Sequence, residues 1–330
     1  MNIEKLQHIL SDQPAYRLKQ AKKAIFIDLI EDWDEATVFP KDLREKLNKE
    51  CPLDINATLT ISKDANTKKI LIKLDDNNEI ETVLMKNRDR NTVCVSTQVG
   101  CALKCAFCAT GKMGLTRDLK ASEIVAQVLL ISRHLKKKKE HVTNVVFMGM
   151  GEPLLNYDAT LDAVRILNDK DGLHIGARKI SISTSGIIPG IKKLANEDIQ
   201  VNLAISLHAP NDRLRQELMP IARKYSLEEL FQTIDEYIKK TNRKVMFEYV
   251  LIREVNDLPI QAKKLAKLMR KPLYMVNLIP YNETDMFEPS SQAAITRFKN
   301  FLLREGIEVT ERKRFGRDIS AACGQLSTKK

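Results

Sequence analysis

The sequence predicts an α/β enzyme fold made of six β/α units. Three observations carry that expectation. From residue 93 onward, short β-rich runs alternate with amphipathic helical stretches. Polar and glycine-containing segments gather just after each β-rich run, where barrel and open-sheet α/β proteins place their sites. No internal repeat or low-complexity linker interrupts the pattern.

Taken in order, residues 1–50 read as helices. Leu6, Ile9 and Leu10 form one apolar stripe, and Ala24, Ile25, Ile27, Leu29 and Ile30 form another. Residues 51–90 carry three strand-like runs, at 55–61, 69–74 and 79–85. The last two flank Asp75-Asp76-Asn77-Asn78, residues that tolerate turns, so a hairpin is expected. Parallel strands follow at 93–97, 144–148, 179–183, 201–206, 245–251 and 274–278. Helices are expected near 121–138, 157–168, 188–196, 226–240, 260–270 and 290–305, making right-handed crossovers. This divides the chain into a helical unit at 1–50, a β-rich connector at 51–90 and an α/β core at 91–330.

With 330 residues the chain can bury a substantial core. No apolar run would span a bilayer, and the N-terminus shows no secretory pattern, so a cytoplasmic protein with reduced thiols and no membrane partner is expected. The formal net charge is +11. The excess is clustered at Arg17, Lys19, Lys22 and Lys23, at Arg133 and Lys136–Lys139, and at Arg312, Lys313, Arg314 and Arg317. Clustered positive charge points to a polyanion such as nucleic acid. For any single cluster, a solvated helix face or a helix C-terminus is the plainer reading.

Three of the six cysteines form Cys101-x-x-x-Cys105-x-x-Cys108. In a reducing compartment such a cluster suggests a metal site. A structural zinc normally takes four ligands, and only three thiols are local. A [4Fe–4S] cluster on three thiolates would leave one iron open to a substrate. Zinc with a fourth ligand borrowed from Cys94 or elsewhere stays an alternative at this point.

The spacing, with Phe107 before the last cysteine, resembles the radical S-adenosylmethionine superfamily. The downstream segments FMGMGEPLLN (147–156), SISTSG (181–186), NLAISLHAPND (202–212), NLIPYN (277–282) and DISAACGQL (318–326) resemble the RlmN/Cfr family of RNA adenine methyltransferases. The likeness runs in order from about Glu81 to Leu326. It implies a partial (β/α)6 radical SAM barrel, with the N-terminal helices as a small RNA-binding accessory domain and the β-hairpin as a short extension.

The resemblance also implies the chemistry. Cys101, Cys105 and Cys108 would hold one [4Fe–4S] cluster per chain. Two S-adenosylmethionine molecules would be consumed per methylation. Cys323 would accept a methyl group, the resulting S-methylcysteine would lose a hydrogen atom to a 5′-deoxyadenosyl radical, and the carbon radical would add to adenine. Cys94 would release the product through a transient disulfide with Cys323, and Glu81 would be the proton acceptor. Gly151, Glu152, Ser183, Ser206, Leu207, His208 and Asn282 map onto the family's cofactor contacts. Cys51 matches no catalytic position and is expected to be structural. Standing alone, Cys94, Cys323, Glu81 and His208 would each read as an ordinary structural residue.

Carbon 2 of adenine, between two ring nitrogens, offers an electrophilic methyl nothing to attack, which is why radical chemistry suits it. The expected substrates are 23S rRNA at the peptidyl transferase centre and tRNA at the adenine 3′ to the anticodon. A flavodoxin or ferredoxin would supply electrons to an expected monomer. Departures from the common pattern are Ala222, Glu254 and Arg314-Phe315-Gly316. The Phe-Gly pair resembles the Cfr branch, which methylates carbon 8 and confers antibiotic resistance, whereas Pro153 fits the RlmN branch and carbon 2. A non-catalytic, zinc-stabilised RNA-binding protein is the remaining alternative.

Overall fold

The computed structural model describes residues 3–284 and 286–328. Three helices open the chain: α1 (Ile3–Ile9), α2 (Tyr16–Phe26) and α3 (Lys41–Glu50). Leu6, Ile9, Leu10, Ala24, Ile25 and Ile30 are buried as their spacing predicts. Ile27 is not: α2 ends at Phe26, and Ile27 falls outside the helical stripe and is exposed. The one tryptophan, Trp33, is fully buried between these helices, and its indole N–H donates to the Cys51 carbonyl at 2.8 Å.

The connector forms β1 (Ala57–Ile61), β2 (Thr67–Lys73) and β3 (Glu79–Asn87). The expected turn is present: Leu74 N–H donates to Asn78 O at 2.8 Å, and Asn77 adopts a left-handed conformation. β3 then turns directly into β4 (Arg90–Cys94) as an antiparallel pair with Val83 opposite Cys94. The extension is therefore three strands in one continuous sheet with the core, rather than a separate hairpin.

After β4 come β5 (Gln98–Gly100), α4 (Ala109–Met113), β6 (Leu115–Asp118) and α5 (Ala121–Lys136). The alternation then runs β7 (Asn144–Phe147), α6 (Tyr157–Asn168), β8 (Ile180–Thr184), α7 (Ile188–Leu194) and β9 (Asn202–Ser206). It finishes with α8 (Asp212–Leu218), α9 (Leu227–Thr241), β10 (Val245–Leu251), α10 (Pro259–Leu268), β11 (Tyr274–Pro280), α11 (Gln292–Arg304) and β12 (Val309–Glu311). The main sheet has the order β1-β2-β3-β4-β7-β8-β9-β10-β11-β12, parallel from β4 onward. This is the α/β partial barrel that the sequence predicts. It has one further parallel strand, β12, and two further helices, α4 and α8, all too short to show a period.

Parallel strands are covered on both faces, so their residues are mostly apolar: β10 is buried almost from end to end, with Glu248 as its one charged residue. Helix α9 begins where Ser226 and Glu229 cap each other's backbone N–H groups. At the end of α5 the side chain of Arg133 reaches the carbonyls of Leu53 (2.8 Å) and Ile30, fastening the helical unit to the barrel. That residue of the central basic cluster is thus spent inside the protein. Among the described residues no helix is long and apolar enough to cross a membrane.

Candidate active site

The three-cysteine loop hangs between β5 and β6, which pair antiparallel. Gly100, at φ +78°, is obligatory there: a Cβ would lie 1.8 Å from the Gly114 carbonyl oxygen. Cys101 N–H donates to that same oxygen at 2.9 Å, closing the loop at its base. Ala106 N–H donates to Leu218 O on α8 at 2.9 Å. Phe107 packs edge-on against His208, with ring centroids 4.8 Å apart. Cys101 is buried, and Cys105 and Cys108 are half-buried.

Burial pushes the Cys101 thiol up to about 12 and the Cys105 thiol well above its ordinary value. The Cys108 charge acts in the same direction at both, and the Cys101 charge does so at Cys105. They do not close around a single ion: among the described residues, no group of three or more His, Cys, Asp and Glu side chains does so. An all-thiol set on one loop, near together but not converging on a point, fits a cluster whose irons are each bound by a different cysteine. Bound cations would hold these thiols ionised where burial alone does not.

The residues assigned to S-adenosylmethionine gather at the carboxyl ends of the strands. After β7, Gly151 has φ +101°, and a Cβ would sit 2.6 Å from the Gln98 side chain. Glu152 follows, buried, with both carboxylate oxygens accepting backbone N–H bonds, from Leu154 at 3.0 Å and Ser185 at 2.7 Å. Desolvation raises its pKa. Ser183 in β8 donates to Glu248 of β10 at 2.5 Å. Ser206 ends β9 and Leu207 follows it, and the backbone N–H groups of Leu207 and His208 donate to Glu248 O. The His208 ring accepts from Val250 N–H at 3.1 Å, and burial lowers its pKa to about 3, with the Arg215 charge acting in the same direction. After β11, Asn282 donates to the Cys323 carbonyl at 3.2 Å. Three buried polar atoms here have no protein partner among the described residues: Asn282 Oδ1, Ser185 Oγ and Thr97 Oγ1. Buried polar atoms are normally paired, so the strand ends fit a polar ligand.

Cys94 and Cys323, far apart in sequence, line one small cavity with Met148, Asn282 and Arg312. Both are free thiols. Desolvation pushes Cys94 up to about 12 and Cys323 up to about 11, and the Arg312 charge opposes the rise at both. Cys323 keeps exposed surface as a residue although its thiol is crowded by these groups. The segment carrying it forms no strand and only one short turn, Arg317–Ile319. It is pinned by Gly324 O accepting from Ala109 N–H at 2.8 Å and by Leu326 O accepting from the Thr110 hydroxyl at 2.7 Å.

Glu81 is not a solvent-facing strand residue. It is buried, paired with Lys69 at 2.9 Å, and accepts the Ser327 backbone N–H at 2.9 Å. It does not line the thiol cavity but holds the tail of the segment that bears Cys323.

Arg312 departs from the sequence reading, which grouped it with an RNA-binding stretch. Its side chain is half-buried, ion-paired with Glu248 at 3.4 Å and in contact with the Met148 sulfur at 3.4 Å. Only Lys313, Arg314 and Arg317 of that cluster remain exposed. Sequence reasoning also missed Glu248, Lys69 and Arg215. A lone acid inside the apolar run Val-Met-Phe-Glu-Tyr-Val-Leu was a signal for Glu248; nothing local marked the other two.

A family model described as the Radical SAM superfamily matches residues 95–265. A relative from Dictyoglomus thermophilum, named "Probable dual-specificity RNA methyltransferase RlmN", is 45% identical over 329 residues, spanning 98% of this chain and 94% of its own. The "Dual-specificity RNA methyltransferase RlmN" of Nautilia profundicola is 45% identical over 335 residues, spanning 96% and 94%. A crystal structure of a radical SAM methyltransferase from Sphaerobacter thermophilus superposes with a TM-score of 0.95 at 47% identity, over 99% of this chain and 97% of that one.

Proposed function

The chain belongs to the RlmN family of radical SAM methyltransferases, and on that premise we propose that it methylates carbon 2 of an adenine in RNA through a sulfur relay between Cys323 and Cys94. The proposed substrates are 23S rRNA at the peptidyl transferase centre and tRNA at the adenine 3′ to the anticodon. The observation that carries the reading is the cavity shared by Cys94 and Cys323, beside the loop of Cys101, Cys105 and Cys108.

Held by those three cysteines and the strand ends, an iron–sulfur cluster with S-adenosylmethionine would supply both a transferable methyl group and, on one-electron reduction, a hydrogen-abstracting radical. The Cys323 sulfur displaces the methyl group from its sulfonium carrier, so one C–S bond forms as another breaks. Loss of a hydrogen atom to that radical would leave a carbon radical on the S-methyl group of Cys323, which adds to carbon 2, and the adduct's unpaired electron would pass back to the oxidised cluster. The Cys94 thiolate then attacks the Cys323 sulfur, forming an S–S bond while the C–S bond from Cys323 to the base breaks and its electron pair passes to the base. Glu81 takes the proton that leaves carbon 2, and the freed carbon takes up a proton to become the methyl group. Arg312 supports both thiols as anions. One methylation consumes two S-adenosylmethionine molecules, one for the methyl group and one for the radical.

We assign residues 1–50 as an accessory RNA-binding domain, 51–90 as a connector and 91–330 as the methyltransferase core of a cytoplasmic monomer. A flavodoxin or ferredoxin is the proposed electron donor. The target base must leave its stack to reach the Cys323 sulfur.

The test is anaerobic turnover followed by mass spectrometry of the RNA nucleosides. 2-Methyladenosine is expected. 8-Methyladenosine would move the chemistry to the other ring, and a colourless, unreactive zinc protein would sink the radical reading. With Cys94→Ala, protein covalently joined to RNA should accumulate; clean turnover by that variant would remove Cys94 from the relay.

A further inference from the structure

We propose that Arg215 is the countercharge built into the protein for the anionic cluster on Cys101, Cys105 and Cys108, so that it positions that group and sets its reduction potential. This rests on the cluster reading above. It starts from a charge that the protein does not neutralise. Arg215 is 1% exposed, on α8. Its Nη2 donates to Ser185 O at 2.6 Å and Ser206 O at 3.3 Å, and its Nε donates to Leu207 O at 3.3 Å. All three acceptors are neutral carbonyls at the ends of β8 and β9. They satisfy N–H groups but do not cancel the charge. Among the described residues no carboxylate lies within ion-pair distance of it. A buried cation without an anion is costly, and proteins seldom keep one without a use for it.

Cys105 and Asp212 both favour the charge on Arg215, Cys105 the more strongly. Asp212 makes no ion pair with it; its carboxylate accepts the Leu227 N–H at 2.7 Å where α9 begins. α8 also grips the Cys105 loop directly, through Ala106 N–H and the Leu218 carbonyl at 2.9 Å. The guanidinium is also fixed in place. Its Nη2 lies 3.3 Å from where a Gly186 Cβ would be, so Gly186, at φ +99°, leaves the space it occupies.

A [4Fe–4S] cluster on three thiolates is anionic when oxidised and gains another negative charge on reduction. A fixed cation nearby favours the reduced form and raises the potential. Arg215 takes no part in bond making. The one electron still comes from a low-potential donor.

The experiment compares wild-type, Arg215→Lys and Arg215→Gln holoproteins, reconstituted anaerobically, by spectroscopic redox titration without and with S-adenosylmethionine. Iron content and thermal melting are measured in parallel. At a fixed applied potential and without S-adenosylmethionine, Arg215→Gln should show about a tenfold lower ratio of reduced to oxidised cluster. Arg215→Lys should stay near wild type. If only the Lys variant retains a cluster, the charge requirement is supported. An unchanged potential in a fully loaded Gln variant overturns the proposal. So does a shift seen only with S-adenosylmethionine present, which would assign Arg215 to that molecule's carboxylate. Loss of the cluster in both variants also overturns it, leaving Arg215 as a carbonyl clamp. A wild-type protein without iron–sulfur absorption would instead sink the underlying cluster reading.

Discussion

Two segments bring cysteines to the candidate site, and they are held in opposite ways. The loop of Cys101, Cys105 and Cys108 is closed at its base by its own backbone, through Cys101 N–H and the Gly114 carbonyl, between two paired strands. The segment carrying Cys323 has almost no regular structure and is held from outside. Lys63 N–H donates to Asp318 at 2.8 Å, Asn282 donates to Cys323 O, Ala109 N–H donates to Gly324 O, and Ser327 N–H donates to Glu81. Thr110 adds a bond to Leu326 O, so the holds are scattered hydrogen bonds to several different elements and not a ladder. Segments tied this way open at lower free energy than packed strands and helices. On the proposed relay, the part that generates the radical is fixed, and the part that carries the methyl group can move.

The largest expected effect comes from separating the two sets of cysteines. Cys105→Ala should reduce bound iron to near background and abolish all S-adenosylmethionine cleavage. Cys323→Ser should leave iron content and reductive cleavage intact while eliminating RNA methylation. Iron loss in both variants would mean that the two segments form one unit.

A smaller effect is expected at Gly324, the contact point between them. It has φ +83°, and a Cβ would lie 3.2 Å from the Phe107 carbonyl oxygen. A left-handed alanine costs about 1–2 kcal/mol. Gly324→Ala should therefore lower single-turnover methylation roughly tenfold through a detached segment, with the iron content unchanged. Wild-type rates would show that the pinning is dispensable.

The smallest effect on catalysis is expected from a pH dependence of the apoprotein's stability. Burial, with Arg215 acting the same way, holds the His208 ring neutral down to about 3, against an ordinary value of 6.5. The unfolded chain takes up this proton first, so the contribution to stability is complete above pH 6.5 and declines as pH falls toward 3. Between pH 6.5 and 5 the loss should be about 2 kcal/mol. His208→Asn should flatten that part of the urea-midpoint profile; an unchanged slope would show that His208 is not its source. Because His208 packs on Phe107, acid should loosen the cysteine loop before the outer strands.

The contrast between the two segments also explains what the sequence could disclose. Cys101, Cys105 and Cys108 sit on one short loop, so spacing alone is enough to group them. The β/α rhythm was legible because strands buried on both faces are mostly apolar and their covering helices keep a 3.6-residue period. Cys94 and Cys323 meet only through the fold, and family resemblance alone could pair them. Arg312 looked like one more surface base because charge in a sequence carries no depth; its pairing with Glu248 of β10 depends on the fold carrying its side chain across the intervening strand β11. Arg215 could not be singled out either, since its partners are backbone carbonyls from three other residues.

The cavity between Cys94 and Cys323 has a volume of about 40 Å³. That is room for a few water molecules at most, not for a purine ring. On the proposed relay, the closed arrangement is therefore a resting posture and not a reacting one. A cycle on that relay would begin by releasing the tail from Glu81 and swinging Cys323 outward, and would end by bringing it back against Cys94. The segment would then act as a turnstile, with turnover no faster than it rotates.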